Sequence, residues 1–181
     1  MIQKEEPAIK LEKTDRDANG AESPGDEAPE QKRQPEEPAI ELMGFRLARE
    51  EYAIDIMRVK EITPVFELTP IPRAPDYVLG ILSLRGNIIP IFDPKKQIGL
   101  PEAELTGKSR IIVLKSNEDE VGLLVDSITS AARVPLRSIE PTPPVIRGIE
   151  AEYIHGVVTV GDRVIIIMNM DEIIKIPAMD R

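Results

Sequence analysis

The chain has 181 residues, a formal net charge of -9 and a pI near 4.8, with no Cys, no Trp and one His. An acidic balance argues against nucleic acid or an anionic membrane surface as the main partner. The missing residue types exclude disulfides, thiolate nucleophiles, cysteine-ligated metals and a two-histidine metal site.

Residues 1–40 hold six basic and eleven acidic side chains, five prolines and no aromatic residue. Such a segment buries too little apolar surface to offset its ordering entropy, so it reads as a disordered tail. The start, MIQKEEPAIK, has no apolar run of the kind a signal peptide needs. The longest apolar run, Val164 to Met168, is far short of the ~20 residues of a membrane span. Asp15, Asp17, Asn19 and Gly20 match the start of a calcium loop. Asp26 then stands where a bidentate Glu is expected, and Pro24 and Pro29 oppose the following helix, so the pattern reads as chance in an acidic linker.

From Leu42 on, short Ile/Val-rich runs alternate with turn signals, a spacing that predicts an all-β barrel or sandwich. Gly44–Ala48 and Tyr52–Ile56 form an expected hairpin across Arg49-Glu50-Glu51. Ile56, Val59 and Ile62 fit a short helix as well as a strand. Pro70, Pro72 and Pro75 force an extended connection, and Asp76–Leu79 suits one helical turn. Two strands flank Arg85-Gly86-Asn87, where Gly and Asn can supply positive φ. Pro90 cannot donate to a ladder, which predicts an edge or a bulge there. Arg110–Leu114 and Val121–Val125 pair around a polar turn, and Val157–Val160 with Val164–Met170 close on Gly161-Asp162. Val164, Ile166 and Met168 face one side of the last strand and Ile165 and Ile167 the other, as at a seam between two packed sheets.

Catalytic equipment is hard to find. Thr106-Gly107-Lys108-Ser109 is half a phosphate-binding loop, but Glu102 replaces its first Gly and a strand-like run follows. His155 has no nucleophile to activate and reads as a surface or turn residue. Asp171-Glu172 is a carboxylate pair that suits the start of a final helical turn better than sugar chemistry.

Read together, the motifs along residues 43–176 resemble the CheW family of chemotaxis coupling proteins. They are Glu51-Tyr52-Ala53-Ile54-Asp55-Ile56 with Val59-Lys60-Glu61-Ile62, then Ile71-Pro72-Arg73-Ala74-Pro75 with Val78-Leu79-Gly80. Leu84-Arg85-Gly86 with Ile88-Ile89-Pro90-Ile91-Phe92-Asp93 follows, then Val121-Gly122-Leu123-Leu124-Val125-Asp126. Tyr153-Ile154-His155-Gly156 with Gly161-Asp162-Arg163 ends the series. Ser83 stands where Asn usually precedes Leu-Arg-Gly, and Pro94 replaces the usual Leu. The resemblance implies an all-β fold of two intertwined five-stranded SH3-like barrels with a few short helical turns. It divides the chain into a tail over 1–40, a CheW-like domain over 41–177 and a tail over 178–181.

It further implies a cytoplasmic, non-enzymatic adaptor with no cofactor and no metal, sited at receptor arrays beneath the inner membrane. Its partners would be the regulatory domain of a CheA-type histidine kinase and the cytoplasmic tip of methyl-accepting chemoreceptors, without nucleic acid or direct membrane contact. The competing reading is a small β-barrel ligand-binding module or enzyme using the half phosphate loop or a carboxylate pair.

By the same resemblance, Arg85 matches a receptor-linked arginine and Glu61 an acidic position that could pair with it, within the chain or across an interface. Arg85 could equally be a solvated turn residue. Val59 matches a receptor-contact position and also fits ordinary core. Gly80, Gly122 and Gly156 match places where interfaces come close, or they serve backbone geometry alone.

Overall fold

A computed structural model of the chain describes residues 37–116, 119–142, 149 and 151–175. The calcium-loop pattern, most of the acidic tail, the Asn117-Glu118 turn and the C-terminal tail lie outside these residues.

Among the described residues are ten strands, two one-turn α-helices and three 3₁₀ turns. The strands are β1 (Ala39–Leu47), β2 (Glu50–Asp55), β3 (Val59–Pro64), β4 (Val78–Leu84) and β5 (Asn87–Phe92), then β6 (Arg110–Ser116), β7 (Asp119–Val125), β8 (Ser127–Pro135), β9 (Ile154–Val160) and β10 (Arg163–Met168). Helix α1 (Pro94–Gln97) follows β5, and α2 (Met170–Ile173) follows β10. The strands form two five-stranded sheets, ordered β8-β1-β2-β10-β9 and β3-β6-β7-β5-β4.

Several local expectations change. Ala39 and Ile40 already belong to β1 and pair with Pro135 and Val134, so the tail ends before them. The first hairpin turns on Ala48-Arg49, because Leu47 faces Glu50; Ala48 takes φ 53° and its N–H donates to Asp126 Oδ2 at 2.6 Å. Ile56–Arg58 is a 3₁₀ turn and Val59 then starts β3, so the mixed pattern holds both forms in succession. Asp76–Leu79 is not helical. Val78 N–H closes a turn on the Pro75 carbonyl, and Val78 itself is held in β4 opposite Phe92. Strand β8 is rich in Ser, Thr and Ala and gave no alternating signal. The carboxylates Asp171 and Glu172 lie in the first turn of α2, whose cap position is Asn169.

Pro90 lies on an interior strand, not an edge. It faces Ile81 of β4, whose N–H and C=O both bond Thr69 on the far side. The Ile81–Pro90 pair is therefore a non-bonded one, in which the missing donor costs the β4 ladder nothing. The parallel pairing of β5 with β7 starts only at Ile91.

The two sheets repeat one plan. In each, an antiparallel hairpin (β1-β2 or β6-β7) lies parallel to the last strand of a second hairpin (β10 or β5). The registers make residues 42–64 correspond to 111–133 and residues 78–97 to 154–173. Each sheet takes one hairpin from one half of the chain and three strands from the other half. The halves are thus intertwined, each completing the other's sheet.

Both sheets curl. The cluster Leu42, Ala53, Val134, Val158, Ile165 and Ile167 joins residues of both edge strands, β8 and β9. Those edges would lie roughly 19 Å apart in a flat sheet. The segment after β8 closes the circuit, with Glu140 and Val157 exchanging hydrogen bonds of 2.8 and 2.9 Å. Thr69 and Ile81 do the same in the other sheet, at 3.0 and 2.8 Å. A third cluster fills that sheet with Leu82, Ile89, Ile91, Ile111, Val113 and Leu124. Between the sheets lies the largest core, with Phe45, Tyr52, Ile54, Ile166 and Met168 from one and Phe92, Ile112, Leu114 and Leu123 from the other. Strand β10 feeds both its own core and the shared one, the seam its two apolar faces predict.

Candidate functional site

The tight β4-β5 hairpin exposes Arg85. Leu84 faces Asn87, leaving Arg85 and Gly86 as its two turn residues, at φ 51° and 88°. Positive φ at both positions is the type I′ pattern, whose twist matches that of the flanking strands. The expectation of Gly and Asn as the positive-φ pair is corrected: Asn87 opens β5, and Arg85 adopts the left-handed conformation instead.

The Arg85 side chain is 78% exposed, and its Nη2 lies 3.1 Å from Oε2 of Glu61, itself 23% exposed. Glu61 reaches this corner from β3, where the register with β6 shifts between Val59 and Glu61. The bulge leaves Lys60 as an extra residue, and its Nζ bonds Glu120 of β7. Asn87 Nδ2 donates to the other Glu120 oxygen at 3.5 Å. The Lys60 bond, first among the causes, holds the Glu120 carboxyl below its ordinary pKa. The corner therefore presents an alternation of charge, Arg85–Glu61 beside Lys60–Glu120, that can recognise a partner by complementary ion pairs. Val59 is half-buried and packs on the shared core, facing Leu114.

Lys60, Asn87 and Glu120 were not singled out in the sequence, although a signal existed. Glu120 corresponds to Glu51 of β2, which accepts from Thr129 at 2.7 Å and from Arg163 at 2.9 Å. Thr129 occupies the matching bulge of β8, and Arg163 matches Asn87. Each sheet thus carries one carboxylate held by a bulge residue and by the first residue of the neighbouring strand.

The three glycines are buried, and each has a reason inside the fold. Gly80 and Gly156 occupy equivalent places, one residue before the closing bridges. A Cβ on Gly80 would lie 2.5 Å from the Thr69 carbonyl oxygen, and one on Gly156 would lie 2.7 Å from that of Glu140. A Cβ on Gly122 would collide with Ile91, its parallel neighbour. Close approach of chain segments is real at all three, and it is approach within this chain.

The half phosphate loop is a turn. Ser109 N–H donates to the Thr106 carbonyl at 3.0 Å, Thr106 N–H donates to Ser109 Oγ at 2.9 Å, and β6 follows directly. No helix N-terminus is there to hold a phosphate.

Comparison with known proteins agrees with this geometry. A family model described as a CheW-like domain matches residues 41–177. The chain is 38% identical over 133 residues to a chemotaxis protein CheW of Rhizobium meliloti, covering 74% of this chain and 86% of that one. It is 39% identical over 138 residues to a chemotaxis protein CheW of Treponema pallidum, covering 74% and 81%. The crystal structure of the scaffolding protein TtCheW from Thermoanaerobacter tengcongensis superposes with a TM-score of 0.72 at 32% identity, covering 82% of this chain and 95% of that one.

Proposed function

The chain belongs to the CheW family, and on that footing we propose that it joins chemoreceptors to a CheA-type histidine kinase through the Arg85 corner. Membership makes it a chemotaxis adaptor and scaffold, not an enzyme, and the ligand-module alternative is not favoured. The finer partners are our reading: the regulatory domain of the kinase, and the cytoplasmic tip of methyl-accepting receptors. The position we assign is at receptor arrays beneath the inner membrane. No described helix is long and apolar enough to cross one, and contact with the bilayer would run through the receptors. We keep the division into an acidic tail, a CheW-like domain and a short C-terminal tail.

One observation carries the site assignment. Arg85 is held out on a left-handed turn, with its guanidinium exposed and, among the described residues, one half-buried carboxylate, Glu61, on it. A guanidinium so placed retains free donors for a two-point bond to a carboxylate of a receptor helix. Glu61 fixes its direction, and Val59 supplies the apolar flank. Gly80, Gly122 and Gly156 act at one remove, by letting the sheets close around the strands that carry these residues.

The test is a kinase assay with receptor, kinase and adaptor reconstituted together. Arg85→Glu should abolish receptor control of the kinase while leaving the strand-rich circular dichroism spectrum and the melting temperature near wild type. Folded Arg85→Glu protein that couples normally would refute the assignment.

A further inference from the structure

The duplicated plan supplies an internal control for the Arg85 corner. In the first sheet Arg163 of β10 makes two ties by itself. Its Nη1 donates to Glu51 Oε1 of β2 at 2.9 Å and its Nη2 to Ser130 Oγ of β8 at 3.3 Å. In the second sheet the two ties are divided. Asn87, in the place of Arg163, reaches Glu120 at 3.5 Å, and Arg85 takes Glu61, which stands in the place of Ser130. The guanidinium has thus moved two residues outward onto the turn, where the first sheet has Gly161.

The two carboxylate clamps also differ in depth. A Cβ on Gly44 of β1 would lie 2.4 Å from Thr129 Oγ1 and 3.3 Å from Glu51 Oε1, so the first clamp occupies the room of a side chain. Glu51 is accordingly only 7% exposed. On β6 the place of Gly44 is taken by Val113, which is fully buried, and the second clamp cannot sink. The short Thr129 gives way there to the longer Lys60. The Lys60–Glu120 pair lies at the surface, at 36% and 20% side-chain exposure. A pair so placed adds little stability by itself, but joined to further partners it sets directions.

Both arms of this clamp end beside the Arg85–Glu61 pair. Lys60 immediately precedes Glu61, and Asn87 pairs with Leu84 to close the turn that bears Arg85. Strands β6 and β7 lie between β3 and β5 in the sheet, so no ladder sets Glu61 against Arg85. Arg85 is the one charged residue of the stretch 78–92, so no charge on its own hairpin directs it. Glu120 of β7 bonds to both strands at the points where their direction matters. We propose that Lys60 and Glu120 are positioning residues for Arg85. They fix the bulge before Glu61 and the base of the turn, and so hold the guanidinium with its free donors toward a partner's carboxylate. This role rests on the assignment of Arg85 to receptor binding and deepens it.

The experiment measures receptor affinity and receptor control of the kinase with full-length variants, below the melting temperature of each. Glu120→Ala should weaken receptor binding about fivefold. Glu120→Gln, whose amide can still meet Lys60 and Asn87, should recover most of that loss. Glu51→Ala breaks the buried clamp instead. It should lower the melting temperature more than Glu120→Ala does and leave receptor affinity unchanged. Lys60→Met opens the surface clamp from an exposed position, should fold in any case, and should weaken binding about threefold. Normal affinity in Glu120→Ala or in Lys60→Met, no recovery in Glu120→Gln, or an equal loss in Glu51→Ala would each overturn the proposal. Arg85→Glu, measured alongside, separates the two readings. If it abolishes control while Glu120→Ala binds normally, the positioning role alone falls. If Arg85→Glu itself couples normally, the site assignment falls and takes the positioning role with it.

Discussion

Two residues other than glycine show what a left-handed backbone costs and what offsets it. Ala48 and Arg85 both take φ near +50°, at about 1 kcal/mol each or somewhat more. At Ala48 the N–H is repaid by a short bond to Asp126. At Arg85 the side chain gains one surface ion pair with the half-buried Glu61, worth about 1 kcal/mol at most. Local stability does not explain an arginine there; the partner carboxylate that we propose for it would. Asp93 is a different case, buried beside Lys95, whose N–H it caps at 3.0 Å. Desolvation, opposed by Lys95, pushes its carboxyl above 3.8. The folded protein therefore binds a proton there more readily than the unfolded chain does. That contribution to stability is complete below pH 3.8 and is lost as pH rises through the folded-state value. Asp93→Asn keeps the cap and removes the titration. Its melting temperature relative to wild type should be flat at the acid end and climb as pH rises through that value. A difference independent of pH would show that burial does not control Asp93.

The closing segments are the elements on which sheet geometry turns. Gly80 sits at φ 147° against the Thr69 carbonyl, whereas Gly156 meets the Glu140 carbonyl at an ordinary φ. Gly80→Ala must bear strain and collision together and should lose on the order of 2–3 kcal/mol, and Gly156→Ala about 1–2 kcal/mol. Urea unfolding of both variants measures this, and a Gly80→Ala protein as stable as wild type would remove the strain argument. Faster amide exchange at Thr69 and Ile81 in Gly80→Ala, but not in Gly156→Ala, would place the damage. These segments also mark the limit of what the sequence discloses. Hairpins declared by a two-residue turn, such as Gly161-Asp162, are readable because the signal is local. The pairing of Thr69 with Ile81 is not, since neither residue names its partner. Strand β8 is hidden because its pairing with β1, not alternation, makes it a strand. The Arg85–Glu61 pair was legible through resemblance. Its companions Lys60 and Glu120 meet only because a bulge turns Lys60 across the sheet.

At the scale of the whole molecule, the duplication escapes notice because the halves retain little in common. Among corresponding residues the identical pairs are Glu51 and Glu120, Gly80 and Gly156, Ile89 and Ile165, and Ile91 and Ile167. What persists is the alternation of apolar positions and the glycine that each closing segment requires. Intertwining has a thermodynamic consequence. A first half alone would hold a hairpin and three strands that cannot complete a sheet, with the shared core exposed and edges unpaired. The same holds for the second half, so neither can fold by itself. The halves are joined across Pro101–Lys108, which is exposed throughout. Cutting between Glu104 and Leu105 removes no strand and no core contact, and adds only the entropic cost of bringing two chains together. Fragments 1–104 and 105–181, expressed together, should purify as a one-to-one complex with the amide spectrum of the intact chain. Its melting temperature should rise with concentration, as mass action requires. Each fragment alone should give the narrow amide dispersion of an unfolded chain. A folded spectrum from either fragment by itself would mean that one sheet can form without the other half, and that the exchange of hairpins is a feature of the final state but not a condition of folding.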